Sequence, residues 1–161
     1  MYVPFESLAP QSRIWVYFAN RDFSDVVSIV EQGLNHLCRE WLAHGAPLKA
    51  SYQIRYNRFV ILAVDPSFNE ASGCSIDGSV HALQQLQQTS GVDFFDRTQL
   101  PVLVKGEIKV YPMTSIKSII VENKLEPGTL IFNPVVVTKD DFENIWVTAL
   151  EKSWLSKYLS N

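Results

Sequence analysis

The pattern of apolar and polar positions predicts four strands in the first two thirds of the chain. Residues 13–19 and 59–64 are apolar at nearly every position, with many β-branched and aromatic side chains, so both are expected to be central strands. Residues 49–56 precede the second of these and join it through a turn at Asn57-Arg58, where asparagine tolerates a positive φ. Residues 101–104 form the fourth predicted strand.

Two amphipathic helices are predicted between these strands. The first is expected to follow a cap at Asp22, because apolar residues then recur at spacings of three and four. It is expected to end at His44-Gly45, with glycine as a left-handed cap. The second is expected to start at Ser75 or Asp77 and to end at Gly91. The order of elements is therefore β-α-β-β-α-β.

This order is typical of a ferredoxin-like α+β fold. Residues 1–112 are expected to form that core, with an N-terminal arm and with residues 107–111 as an added hairpin strand after the Lys105-Gly106 turn. Residues 113–161 are expected to be a helical extension packed on the core, so that the whole chain is one structural unit. Residues 130–132 are predicted as a short strand within this extension.

The composition predicts a folded protein with free thiols. The 161 residues are 47% hydrophobic and 12% aromatic, which is enough apolar side chain for a sizeable core. The net charge is −3 with no run of lysine or arginine, so a nucleic-acid partner is not expected. The N-terminus lacks the pattern of a signal peptide, and no apolar run approaches the roughly 20 residues of a membrane span. We therefore expect a cytoplasmic protein whose cysteines are not paired and that has no membrane partner.

Several catalytic and nucleotide-binding motifs are absent from the sequence. It contains no G-x-x-x-x-G-K-[ST] or G-x-G-x-x-G phosphate loop, no G-x-S-x-G elbow and no C-x-x-C pair. Nucleotide binding through either phosphate loop is therefore excluded, and no cofactor is predicted.

The most informative stretch is the polar loop that follows the strand at 59–64 and leads into the second helix. Cys74 precedes that predicted helix by one to three residues, where the positive end of the helix dipole favours a thiolate. Cys74 is thus a candidate nucleophile or redox thiol. The plainer interpretation is a small residue packed under the loop, since a free cysteine is among the most buried residue types.

Asp77 and His81 lie one turn apart on the same face of the predicted helix. Together with Cys74 they could act as mixed zinc ligands. However, the helical rise separates Cys74 from His81 by roughly 10 Å, so we predict no metal site here. The same distance prevents a direct dyad of these two residues, and a catalytic base would have to come from elsewhere in the fold.

A second stretch, W-x-x-H-G-x-P-L-K, places Trp41, His44 and Lys49 at the end of the first helix. In the predicted topology this end shares one rim of the sheet with the loop and the start of the second helix. His44 is then expected to face Cys74 as its base, and the candidate catalytic residues are Cys74, His44 and Asp77. The candidate ligand-binding residues at this rim are Asp65, Asp77, His81, Trp41 and Lys49.

The stretches MYVPFESLAPQSRIWVY, W-x-x-H-G-x-P-L-K-A and SGCSIDGSVH resemble those of a family of small uncharacterised bacterial proteins, some of which are labelled "ABC transporter ATPase". The resemblance covers nearly the whole chain and implies no known activity or catalytic residue. A second similarity concerns residues 105–146, where a hairpin, a short helix, LEPGTLIF and a later tryptophan resemble the pattern of GYF-like modules. Those modules bind proline-rich peptides on an aromatic surface.

Two functions follow from these features as hypotheses. The first is a binding protein without catalysis, because no complete catalytic constellation is present, and its partner would be a protein or a small molecule. The second is a small thiol-dependent enzyme or redox protein that uses Cys74.

An exposed sheet edge at residues 49–56 would in addition favour a homodimer. A binding protein would use exposed aromatic anchors, and the candidates are Phe94, Phe95, Trp146 and Trp154.

Overall fold

The computed structural model describes residues 1–159, and the chain divides into two units. The first comprises Met1–Asp96 with Val137–Asp140, and the second comprises Arg97–Val136 with the chain from Asp141 onward. The boundary expected after residue 112 lies instead at residue 97, because the strands that follow this point pair with one another. Within residues 1–159, no helix has both the length and the apolar character needed to cross a membrane.

The helices and strands of the first unit follow nearly the predicted order. They are β1 (Arg13–Phe18), α1 (Val27–Glu40), β2 (Leu42–Ala43), β3 (Ala46–Pro47), β4 (Ala50–Arg55), β5 (Phe59–Val64) and α2 (Gly73–Ser90). Strands β1, β5 and β4 form an antiparallel sheet in that order, so β5 is central as predicted and all of its residues are buried.

Strand β1 lies at the edge of this sheet, although the sequence predicts a central strand. Near both ends of β1, its outer side forms hydrogen bonds with residues that lie outside the sheet. The Ile14 N–H donates to the carbonyl of Val137, and the Asp96 N–H donates to the carbonyl of Phe18. The fourth strand that a ferredoxin-like sheet would place beside β1 belongs to the second unit. The strand order therefore supports a mixed α+β fold and does not confirm the complete ferredoxin-like topology.

Helices α1 and α2 pack with one face of this sheet in a shared apolar core. Glycine at position 33 of α1 permits their close approach, since a Cβ there would lie 2.6 Å from Cδ1 of Leu86 in α2. Alternate residues of β5 point into the core, as expected for a strand. The principal residues of this core are Val30, Leu34, Leu37, Cys38, Val60, Leu62, Val64, Leu83 and Leu86.

Helix α1 is shorter than predicted, because it ends at Glu40. Trp41 takes an extended conformation, and its buried indole donates a hydrogen bond from Nε1 to the carbonyl of Ser75 at 2.7 Å. The chain then forms the β2–β3 hairpin, in which His44 and Gly45 have φ values of 52° and 78°. A two-residue hairpin turn requires such left-handed conformations. His44-Gly45 is therefore a hairpin turn and not a helix cap.

Helix α2 begins earlier than predicted, at Gly73 rather than at Ser75 or Asp77. Its cap is Ser72, whose Oγ accepts a hydrogen bond from the backbone N–H of Ser75 at 3.2 Å. Cys74 therefore lies inside the first turn of the helix. Gly91 ends the helix with a φ of 69°, as the sequence predicts.

The second unit contains more sheet than the helical extension that we expected. Its elements are β6 (Gln99–Val104), β7 (Glu107–Pro112), α3 (Ile116–Val121), β8 (Leu130–Phe132), α4 (Lys139–Ile145), whose first residues are counted with the first unit, and β9 (Val147–Ala149). The strands form an antiparallel sheet in the order β7-β6-β8-β9. Two 3-10 turns follow at Leu150–Lys152 and Trp154–Tyr158.

The second unit has an apolar core of its own. Leu150 and Leu155, which are both 0% exposed, tie the two C-terminal turns to this core. Strands β6 and β8 and helix α3 supply most of the remaining side chains. The buried members are Leu100, Val102, Ile116, Ile120, Leu125, Ile131, Leu150 and Leu155.

Candidate functional site

The two stretches singled out in the sequence lie together at one rim of the first unit. Besides the bond from the Trp41 indole to Ser75, Asn69 Nδ2 donates to the carbonyl of Ala46 at 3.4 Å. The loop between β5 and α2 is thus joined both to the end of α1 and to the β2–β3 hairpin. The topology of the first three long strands brings these segments together, as expected for a helix that returns along the sheet.

Asp65 is a buried carboxylate, 2% exposed, whose oxygens are used within this rim. Its Oδ1 accepts hydrogen bonds from the backbone N–H of Ser67 at 3.0 Å and from the Ser67 hydroxyl at 2.6 Å. Its Oδ2 lies 3.0 Å from Nζ of Lys49. The Ser67 hydroxyl, and to a smaller degree Lys49, hold the pKa of Asp65 below its ordinary value against the opposing effect of burial. In this arrangement Asp65 and Lys49 stabilise the loop.

The remaining candidates at this rim are exposed. His44 lies in the β2–β3 turn, Cys74 in the first turn of α2, and Asp77 and His81 farther along that helix. The proximity of His44 to Cys74, and a catalytic or ligand-binding role for these residues, stay predictions. In residues 1–159, no group of three or more His, Cys, Asp or Glu side chains is arranged so that it could hold a metal ion.

The two cysteines occupy opposite environments. Cys38 is 0% exposed in the core of the first unit, and this burial raises the pKa of its thiol to about 12. Cys74 is exposed to solvent. The thiolate is the reactive form of a cysteine, so Cys38 is not expected to react at neutral pH. Cys74 is therefore the candidate for thiol chemistry.

Of the four aromatic residues named as candidate anchors, only Trp154 is exposed, at 42%. Phe94 is 0% exposed and packs edge to face on Phe23, with 6.0 Å between ring centres. Trp146 is 5% exposed, and Phe95 packs edge to face on Tyr17. Phe94 and Trp146 are thus core residues, and Trp154 is the anchor candidate that the structure supports.

Trp154 lines a cleft of about 450 Å³ in the second unit. The cleft lies beside β9, between the loop that follows β8 and the two C-terminal turns. Its apolar lining consists of Pro134, Val135, Ile145 and Trp154. Its polar lining consists of Asn133, Thr148, Lys152 and Ser153.

Short-range hydrogen bonds hold the walls of this cleft. Asn133 accepts a hydrogen bond from the Val135 N–H at its Oδ1, at 3.1 Å, which fixes the turn that presents Pro134. Ser153 Oγ donates to the Leu150 carbonyl at 2.6 Å and accepts from the Leu155 N–H at 3.1 Å. Because Leu150 and Leu155 are buried, these bonds fix the backbone on both sides of Trp154.

Sequence reasoning identified one residue of this cleft, Trp154, and missed the others. No motif marks them, since the lining comes from four separate segments of the chain. One local signal could have indicated this cleft, namely the Asn133-Pro134 turn followed by the apolar residue Val135. Val135 lies in a loop, and its side chain is 73% exposed in the structure.

Comparison of the chain with protein-family models, with curated proteins and with solved structures finds no match.

Proposed function

We propose that the chain is a binding protein whose site is the cleft of the second unit. Trp154 carries this proposal, because it is a large aromatic side chain that stays 42% exposed although the backbone around it is fixed. Tryptophan is among the residues that most often dominate the energy of a protein interface. Val135 and Ile145 line the same cleft and are also exposed, so a partner would remove a shared apolar surface from water.

An extended protein segment suits this cleft better than a small molecule. Small-molecule sites usually enclose most of the ligand surface. Here Val135, Ile145 and Trp154 remain 73%, 48% and 42% exposed, so the apolar lining of the cleft is not enclosed. Extended segments bind to such open grooves by placing alternate side chains against them.

We expect Trp154→Ala to remove most of the peptide affinity of the chain. A random peptide library displayed on phage should yield binders of the full chain, and the selected peptides would then be synthesised with a fluorescent label. Their Kd, measured by fluorescence polarisation, should rise by at least about 30-fold in the variant, because a hot-spot residue contributes about 2 kcal/mol or more.

The matched control for this experiment is Val121→Ala. Val121 is 51% exposed on α3 of the same unit and is not among the described residues that line the cleft. Its replacement should leave the Kd unchanged within about twofold. A library that yields no binder, or binders with equal affinity for wild type and Trp154→Ala, would rule out the cleft as the site.

A thiol-dependent activity at Cys74 is the second candidate function. It is supported by the exposure of Cys74 and by its position in the first turn of α2.

This second candidate predicts selective alkylation of Cys74 at neutral pH. Iodoacetamide should modify Cys74 faster than it modifies glutathione, while Cys38 stays unmodified in the folded chain because it is buried. Mass spectrometry of wild type and of the Cys38→Ser and Cys74→Ser variants gives the two rates separately. A rate at Cys74 no greater than that of glutathione would leave it an ordinary surface thiol and remove this candidate.

For the first unit we propose a relationship to ferredoxin-like folds and to the bacterial family that the sequence resembles. The order β1-β5-β4, which is the three-stranded part of a split β-α-β sheet, supports the ferredoxin-like relationship. The relationship to the family rests on the resemblance of the sequence stretches alone. A homodimer through the edge strand β4 stays a prediction. The start of this strand already pairs with the N-terminal arm through Ala50 and Tyr2, so only the remainder of the edge would be used.

A further inference from the structure

We propose further that the segment bound in this cleft is acidic. It presents an aspartate or glutamate next to an apolar side chain, and it pairs as an added strand with the outer edge of β9. This inference rests on the proposed function, since it names the partner of the same site. A neutral or basic segment and a second copy of this chain are the competing occupants, and each gives a different result in the test below.

The charge of the cleft selects an acidic partner. Among the described residues that line the cleft, Lys152 is the one with a charged side chain, and neither aspartate nor glutamate takes part. Lys157 is not one of the lining residues, although its Nζ lies 5.9 Å from the centre of the Trp154 ring and 5.1 Å from that of Tyr158. A carboxylate entering the cleft would form a charge-assisted hydrogen bond with an ammonium group, whereas a lysine or arginine would meet like charge.

An apolar side chain beside that carboxylate would contact Trp154. Trp154 and Lys152 are separated in sequence by Ser153 alone, and both line the cleft, so one short segment can reach both. The indole face offers apolar contact, and Pro134 and Val135 lie across the same cleft. The partner is therefore expected to carry an apolar residue and an acidic residue close together in sequence.

The outer edge of β9 offers backbone groups with which a bound segment could pair. β9 is the last strand of the sheet β7-β6-β8-β9, so one of its sides faces β8 and the other is an edge. The hydrogen bonds from Leu150 N–H to Thr129 and from Asn133 N–H to Trp146 lie on either side of the pair Ile131 and Thr148. Because bonded and non-bonded pairs alternate in antiparallel strands, Thr148 bonds toward β8.

The same alternation points the backbone groups of Val147 and Ala149 away from β8, toward the edge. An added strand would use these groups, which is the usual mode of β-strand addition. The side chain of Thr148 lines the cleft. A partner residue opposite Thr148 would have its side chain on the same face, and thus in the cleft.

The test starts from the peptides selected on the full chain. We expect them to be enriched in aspartate or glutamate next to Phe, Leu, Ile or Trp. For the tightest peptide, replacement of its acidic residues by Asn or Gln should raise the Kd about tenfold, as expected for the loss of one charge-assisted bond. Lys152→Glu should weaken the acidic peptide at least as much and should improve the affinity of a Lys-substituted analogue.

Lys109→Glu is the matched control for the charge reversal. Lys109 is exposed on β7, the strand at the opposite edge of the same sheet, and the change in net charge is identical. Its effect on the Kd should stay within about twofold. Equal weakening by both variants would mean that the effect comes from net charge and would overturn the assignment to Lys152.

Peptide N-methylation tests the pairing with β9. Methyl groups on those backbone amides that face the strand should raise the Kd about tenfold each, while methylation of the intervening amide should not. A peptide that tolerates every N-methyl group would overturn the strand-addition geometry.

The possible outcomes separate this inference from the proposed function. Peptides that depend on Trp154 but are neutral or basic, or that ignore Lys152→Glu, overturn the acidic partner and leave the binding function standing. Absence of any peptide that depends on Trp154 overturns both. A concentration-dependent dimer in light scattering that Trp154→Ala dissociates would identify a second copy as the occupant and would also overturn the acidic segment.

Discussion

Replacing Phe94 with alanine should lower the unfolding free energy of the chain by about 4 kcal/mol, the usual range for a buried phenylalanine. Phe94 is 0% exposed and meets the equally buried Phe23 edge to face. Truncation removes this contact and leaves a cavity in the core of the first unit. Urea denaturation followed by circular dichroism would measure the loss as a shift of the unfolding midpoint.

Phe94→Leu and Trp154→Ala are the comparisons that make this result specific. The leucine keeps most of the buried volume, so its effect should be about 1–2 kcal/mol. Trp154→Ala should have an effect below about 1 kcal/mol, because the Trp154 side chain is 42% exposed. The opposite ranking would mean that Trp154 is a core residue and Phe94 a surface residue, and would contradict the assignment of the binding anchor.

Lys49→Met should destabilise the first unit by about 2 kcal/mol. The substitution leaves the buried carboxylate of Asp65 without its cation, and an uncompensated charge is costly away from water. The expected loss of stability is smaller than for a fully buried ion pair. The Lys49 side chain is 29% exposed, so water can partly take the place of its ammonium group. The double variant Lys49→Met, Asp65→Asn should recover part of the loss, because the uncompensated charge is gone.

Asp65 also makes the stability depend on pH. Its pKa is lowered in the folded chain, so its contribution is fully present above the ordinary value of 3.8 and is lost as the pH falls through the lowered folded value. Wild type should therefore lose stability on acidification in this range more steeply than Asp65→Asn. Urea midpoints measured from neutral pH to about pH 2 test this, and parallel curves for the two proteins would show that Asp65 does not titrate as described.

The sequence predicted conformations well wherever one short segment decides them. The apolar run of β5 is short and rich in β-branched residues, which favours a strand buried on both faces, and it is found in the centre of its sheet. Gly91 and the Lys105-Gly106 pair mark a helix end and a hairpin, and all three residues have a positive φ. Such signals are reliable because the conformation depends on the residues that carry them.

Helix boundaries were predicted less well, because two local signals competed. Gly45 suits both a helix cap and a hairpin turn. In the structure α1 ends at Glu40, Trp41 is extended and buried, and Gly45 lies in the turn of the β2–β3 hairpin. At α2, Ser72, Ser75 and Asp77 are all acceptable caps, and the structure uses Ser72. As a result, Cys74 lies inside the first turn of the helix, whereas the sequence predicted a position before the helix.

Sequence patterns predicted most helices and strands of the first unit and, apart from the β2–β3 hairpin, their β-α-β-β-α order. The Trp41 stretch also contacts the start of α2, as the predicted topology implies. The tertiary structure alone decided that β6 leaves the first sheet, that Phe94 and Trp146 are buried, and that Trp154 stands exposed beside a cleft. The reason is physical. A residue's conformation depends mainly on its neighbours in sequence, whereas strand partners and cleft walls depend on contacts between distant segments, which no short pattern records.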